Sequence, residues 1–195
     1  MGWPAISYII YKKGCNLVIW RKVQEKHLQK ILDWRTKENI TRFMYTDIPY
    51  SMENQRKWFE AINNCQTSMY WVMEFKGELI GLISLTSIDL YNKRAYWNFY
   101  VGEEKYNMLA GFIGIYMYNF AFNELGFEKL LGEVMDNNEG VQKLHLRQGA
   151  RKVGVLEKHI LKNDNWYSIH LFEMTAQHWK TIKQKYIKYV AEVER

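Results

Sequence analysis

The sequence predicts an α/β (α+β) domain: a mixed, mostly antiparallel twisted sheet with helices on both faces. Three observations carry that prediction. Apolar residues recur with the two-residue period of strands and the 3.6-residue period of helices, in the order β-α-α-β-β-β-α-β-α-β-β-α. Strands joined by short polar turns come first and strands separated by helices come later, which mixes antiparallel with parallel pairing. The 195 residues, 48% of them apolar and 16% aromatic, suffice for one domain with a buried core.

The elements follow in order. NLVIWRK, ahead of Val23, is rich in β-branched and aromatic residues and predicts the first strand. Leu28, Ile31, Leu32 and Trp34 recur at helical spacing, and Asn39 is the expected end of that helix. Ser51 is a candidate N-cap for a second helix carrying Trp58, Phe59 and Ile62, with Trp58 expected in the core. MYWVMEF and GELIGLISLTSI flank the hairpin signal Lys76-Gly77, and RAYWNFYVG follows a turn at Tyr91-Asn92-Lys93. A third helix near 111–125 should close on Gly126. KLLGEVM predicts a short buried strand, and NEGVQKLHLRQGA predicts a short helix closed by Gly149. Two strands then surround the polar turn from Lys162 to Asn165. The basic end of the chain, 176–195, is expected as an amphipathic helix whose Trp179, Ile182, Tyr186 and Tyr189 pack on the domain. The domain itself is placed at 17–175, after an extension over 1–16.

Composition narrows the function. A net charge of +6 favours anionic partners, but no nucleic-acid motif accompanies it, so no nucleic acid is expected. Cys15 and Cys65 lie far apart without metal-ligand spacing, so no metal is expected and a reduced, cytoplasmic setting fits. The N-terminus reads as a poor signal peptide, and the most apolar stretch, Met108 to Phe122, is short for a membrane span.

One place concentrates chemistry. The strand ending in Tyr100-Val101 leads through a polar loop into an apolar helix, and the next strand should return parallel beside it. Such a sheet edge binds ligands. This order, with YVGEE before a helix, then FNELGFEKLLGEVMDNNEGVQKLH and RQGA, resembles the GNAT acyl-CoA-dependent N-acetyltransferase superfamily over roughly 17–175. LDWRTKENITRFMYTDIPYSMENQRKWFEAI further resembles the pseudaminic-acid-pathway UDP-aminosugar N-acetyltransferases.

The resemblance implies a GNAT-like fold with a splayed central parallel strand pair, and acetyl-CoA as acyl donor. Pantetheine would lie against the main chain of Phe99, Tyr100 and Val101, one of whose N–H groups would also face the oxyanion. The phosphate-binding pattern aligns with Lys105-Tyr106-Asn107-Met108-Leu109-Ala110, followed by Gly111, with Met108 where a glycine is expected. A free helix N-terminus there would attract the pyrophosphate; the alternative is a surface turn into a buried helix. Asn138 orients the pantetheine or simply caps its helix. His145, seven residues later, takes the place of a tyrosine general acid, since imidazole can donate a proton near neutral pH; a packing histidine is the alternative. No base is named, and Glu103 and Glu104 read as turn residues.

The acceptor is expected to be a small-molecule amine: the 4-amino group of a UDP-linked 4-amino-4,6-dideoxy sugar. Arg35, Arg42, Tyr45, Thr46, Thr86 and Tyr96 are its candidate contacts. Tyr96 and Asn98 should face the acceptor, with Trp97 and Phe99 on the opposite face. Other acceptors in view are a protein N-terminus, a polyamine or an aminoglycoside; a non-catalytic acyl-CoA-binding module is the reading of a different class. No membrane association is expected, and a homodimer is.

Overall fold

The computed structural model of the chain describes residues 18–194. The expected extension over 1–16, the signal-peptide reading and Cys15 lie outside them. Strand β1 (Val18–Lys22) is followed by a 3-10 turn and three helices, α1 (Leu28–Arg35), α2 (Glu38–Thr41) and α3 (Met52–Asn64). The first helix does not run to Asn39. The Thr36 hydroxyl donates back to the Leu32 carbonyl at 2.9 Å, and Lys37 is extended at φ −66°, ψ 135°, so the chain restarts as α2 with Asn39 inside it. Ser51 caps α3 as expected, accepting from the Asn54 N–H at 3.3 Å.

Strands β2 (Met69–Phe75), β3 (Glu78–Asp89) and β4 (Arg94–Val101) form an antiparallel meander. Its first turn puts Lys76 at φ 52° and Gly77 at φ 80°, the left-handed pair that a two-residue hairpin needs. Helix α4 (Ala110–Asn119) widens into a π turn over Phe120–Glu124, which Gly126 closes at φ 70°. Strand β5 (Lys129–Met135), helix α5 (Glu139–Arg147) and the hairpin β6 (Arg151–Lys162) and β7 (Asn165–Thr175) complete the expected order.

The end of the chain departs from the single helix expected of it. It forms α6 (Ala176–Ile182), a 3-10 turn over Lys183–Tyr186, and a two-residue strand, β8 (Glu192–Val193), parallel to β1. Asn119 explains the break. Buried in α4, it donates to the carbonyls of Tyr186 and Tyr189 at 3.1 and 2.8 Å, and accepts from Trp179 and Asn123, each at 3.2 Å. A continuous helix would keep the Tyr186 carbonyl for itself. The predicted stripe of Trp179, Ile182, Tyr186 and Tyr189 does pack on the core.

The eight strands form one mixed sheet in the order β6-β7-β5-β4-β3-β2-β1-β8. One face buries Trp97, Ile113, Met117, Phe172 and Trp179 beneath α4 and α6. The other buries Leu28, Ile31, Val72 and Leu82 beneath α1, with Trp58 and Phe59 of α3 against them. The parallel contact between β4 and β5 covers only three rungs: Arg94 with Lys129, Ala95 with Leu130, and Tyr96 with Leu131. Beyond Tyr96, β4 stays paired with β3 as far as Val101, and β5 stays paired with β7 as far as Met135. The two strands therefore diverge over 97–101 and 132–135, at the middle of the sheet.

Candidate active site

The divergence opens a cavity of about 740 Å³ that crosses the sheet. Strand alternation explains why both faces contribute. From the α4 side come Trp97, Phe99, Val101, Asn107, Ala110 and His145; from the α1 side come Arg35, Tyr45, Thr86, Asn98, Tyr100 and Glu133. The expected alternation of Tyr96 and Asn98 against Trp97 and Phe99 fits this arrangement, but the gap gives both rows access to the same space.

Phe99, Tyr100 and Val101 border the cavity, where β4 is free of β5 on one edge. Residues 104–109 are different. They coil into a 3-10 helix, and the Ala110 N–H is taken by the Asn107 carbonyl, so that amide is not free for a pyrophosphate. Met108, where a glycine was expected, is 81% exposed. Of the residues assigned to phosphate, only Asn107 and Ala110 line the cavity. Lys105 pairs with Glu78 at 2.5 Å, and Tyr106 meets Phe75 edge-on at 5.7 Å. Leu109 turns to a separate apolar groove, and the Gly111 carbonyl accepts from Gln148 at 3.0 Å. Gly114 serves packing: a Cβ there would sit 2.1 Å from Gln148 and 2.9 Å from Trp97.

Glu103 and Glu104 are latches rather than free turn residues. Glu103 accepts from Trp34 Nε1 at 2.9 Å and pairs with Lys30 at 2.5 Å, which holds its carboxyl below the usual range. Glu104 accepts from Asn39 at 2.9 Å.

Asn138 caps α5, accepting from the Val141 N–H at 3.3 Å, and also lines the cavity. His145 stacks on Phe172 at 4.8 Å and meets Trp97 at 5.3 Å, with its ring against Gly132, where a Cβ would come within 2.7 Å. Burial pushes its pKa down to about 4. The ring is therefore neutral at pH 7, so that any proton it gives would come from a neutral N–H. Its Nδ1 is buried without a hydrogen-bond partner.

That burial predicts a pH effect. The folded state binds fewer protons than the unfolded state between the ordinary histidine value and about pH 4. Stability from this group is complete above the upper limit and falls as pH falls through the window, by on the order of 3 kcal/mol. Denaturant unfolding of His145→Gln should lose less stability than wild type from pH 7 to 4.5. Equal losses would contradict the assignment.

On the acceptor side, Arg35 donates to Thr41 Oγ1 at 3.1 Å and to the Thr46 carbonyl at 2.7 Å. Burial lowers the pKa of its guanidinium, which has no ion-pair partner among the described residues. Thr46 and Thr86 line the cavity, whereas Arg42 and Tyr96 do not. Arg42, just past α2, lies over the Phe43 ring at 4.5 Å and is exposed. Tyr96 sits in the last paired rung, before the strands part. Trp58, expected in the core, packs against it half-buried and also borders the cavity, edge-on to Tyr70 at 5.5 Å.

Sequence reasoning missed Glu133. It is the one carboxylate among the described residues lining the cavity, and it accepts from the Tyr45 hydroxyl at 2.7 Å. Burial, and then this bond, push the Tyr45 phenol well above its usual range. The available signal was a lone acid in the apolar strand KLLGEVM, since strands buried on both faces rarely keep one without a task. Among the described residues there is no group of His, Cys, Asp and Glu able to hold a metal, and no helix long and apolar enough to cross a membrane.

Comparison with known proteins agrees with this geometry. Residues 18–151 match the acetyltransferase (GNAT) domain family. The chain is 23% identical to the uncharacterized N-acetyltransferase YoaA of Bacillus subtilis (strain 168), over 80% of this chain and 92% of that one. Its fold is similar to spermidine N-acetyltransferase from Vibrio cholerae in complex with CoA and spermine, with a TM-score of 0.77 at 16% identity, covering 84% of this chain and 98% of that one. A dodecameric structure of spermidine N-acetyltransferase from the same organism gives a TM-score of 0.70 at 15% identity, over 86% and 97% of the two chains. The chain belongs to the GNAT acetyltransferase family, and acetyl-CoA is its acyl donor.

Proposed function

We propose that this acetyltransferase acts on a primary amine of a small molecule, held between the divergent strands and the loop joining α2 to α3. The observation that carries this reading is the cavity crossing the sheet, with Asn107, Ala110 and Asn138 on one side and the Glu133–Tyr45 pair on the other. The free edge of β4 offers main-chain groups to pantetheine and to the developing oxyanion. Glu133 attracts the ammonium and takes its proton, and Tyr45 fixes the carboxylate's orientation. The amine nitrogen then attacks the thioester carbonyl carbon. A C–N bond forms, the C–S bond breaks, the thiolate leaves with the electron pair, and the nitrogen loses its surplus proton to solvent to give the neutral amide. A thiol pKa of about 8.5 makes the thiolate a competent leaving group, so solvent can supply its proton without a charged His145.

The acceptor we propose is the UDP-linked 4-amino-4,6-dideoxy sugar expected from the sequence. A polyamine is the second reading, favoured by the likeness to a fold that binds spermine. The cavity lining supports the first: it holds one carboxylate and one guanidinium, whereas a polycation gains most from several carboxylates. A cytoplasmic setting and self-association belong to the same proposal. Thiol release should be measured with UDP-aminosugars, spermidine, an aminoglycoside and a peptide N-terminus. Highest kcat/KM on the nucleotide sugar is expected. Preference for spermidine would reverse the order of the two readings, and saturable acetyl-CoA binding without release on any amine would favour the non-catalytic module.

A further inference from the structure

On the acceptor side of the cavity two buried hydrogen-bond donors lack an acceptor, and a guanidinium lacks a counter-ion. Gln55, on α3, is 5% exposed, and its Nε2 has no partner. The Tyr100 hydroxyl is equally inaccessible and equally unpaired. Arg35 has no carboxylate within ion-pair distance among the described residues, although its guanidinium is half-buried and bonded only to Thr41 and Thr46. All three line the same cavity.

The fold places all three on the α1 and α3 side of that cavity. Sheet register aligns Val72, Leu82 and Tyr100 in one row, beside the row of Tyr70, Ser84 and Asn98. Helix α3 lies over this part of the sheet: Trp58, one turn after Gln55, meets Tyr70. Arg35 and Tyr100 are close enough to shift one another's ionisation. An unpaired buried donor costs about 1–3 kcal/mol, so two of them, beside a guanidinium without a carboxylate, describe a site awaiting a ligand rather than a finished core. A guanidinium, an amide N–H and a phenol O–H all suit an oxygen that carries negative charge.

We infer that Arg35, Gln55 and Tyr100 form a subsite for an oxyanion borne by the acceptor itself, a carboxylate or a phosphate. This rests on the amine-transfer reading above and narrows it. Consecutive residues of one loop serve the two ends of such a molecule: Tyr45 touches Glu133, and Thr46 touches Arg35. A substrate with only amino groups leaves the subsite unsatisfied.

The test separates binding from turnover. Calorimetry in the presence of CoA would compare 2-aminoethyl phosphate, 3-aminopropanoate, a UDP-aminosugar, 2-aminoethanol and spermidine, on wild type and Gln55→Leu. At least one anionic amine should bind about tenfold or more tightly than 2-aminoethanol, and Gln55→Leu should remove most of that margin. The phosphate and carboxylate arms identify which oxyanion fits. Acetyl-CoA affinity should be the same in both proteins, which certifies the variant's fold. Equal affinity for neutral and anionic amines, or an anion preference untouched by Gln55→Leu, would overturn the subsite. Thiol release is read separately: anion-dependent binding without release would sink the transferase reading while leaving the subsite standing.

Discussion

Replacing Glu133 with Gln should lower kcat by about 10²–10⁴-fold while leaving acetyl-CoA affinity unchanged. The side chain keeps its shape, and its amide oxygen can still accept from Tyr45, so the 2.7 Å contact survives the change. What disappears is the negative charge that holds an ammonium and the site that receives its proton. The residual rate should climb with pH, about tenfold per unit until the amine's own pKa is reached, because only the already neutral amine reacts. Steady-state kinetics from pH 7 to 10 measures both effects. A variant with wild-type kcat at pH 7 would remove Glu133 from the chemistry.

Lys162→Met should cut kcat/KM for the amine by about 10–100-fold, again with acetyl-CoA affinity unchanged. Lys162 ends β6 at the β6–β7 hairpin and does not line the cavity, yet its side chain is 7% exposed. Its ammonium donates to the carbonyls of Thr41 and Met44 at 2.6 and 3.0 Å and meets Asp47 Oδ1 at 2.8 Å, which uses all three protons. Thr41 and Asn163 also donate to Asp47, and together these bonds hold its carboxyl down to about 2. Arg35 grips the same loop from α1, at Thr41 and Thr46. Two clamps therefore fix the segment that carries Tyr45 to Glu133. Without Lys162, two part-buried carbonyls lose their partner, at a cost of about 2 kcal/mol, and the loop shifts. Lys162→Arg, which keeps the donors, should recover part of the loss. Amine kinetics unchanged in Lys162→Met would show that the loop holds its place without the hairpin.

Much of the fold was legible because local chemistry and global packing agree in this chain. Ser51, the Lys76-Gly77 turn, Gly126 and Gly149 each terminate or turn an element for a backbone reason that a sequence displays. The tail was misread because its helical stripe is real, whereas the residue that breaks it, Asn119, sits some seventy positions away in α4. The site divided along the same line. Among the residues that the resemblance assigns to the site, Phe99, Val101, Asn138 and Tyr45 reach the cavity. Lys105, Tyr106 and Arg42 do not, because coiling of 104–109 and the contact of Arg42 with Phe43 aim them elsewhere. Glu133, Gln55 and Lys162 gain their meaning from partners across the fold. No local pattern announces a buried amide or ammonium whose match lies on another element.

Acetyl-CoA seated between β4 and β5 is the claim on which the rest depends, and hydrogen exchange with and without acetyl-CoA tests it most directly. Backbone amides over 97–101 and 132–135 should gain protection on binding, with the strongly paired rungs of β2 and β3 unchanged. Saturable binding that protects other segments and leaves these two at their free rates would contradict the account.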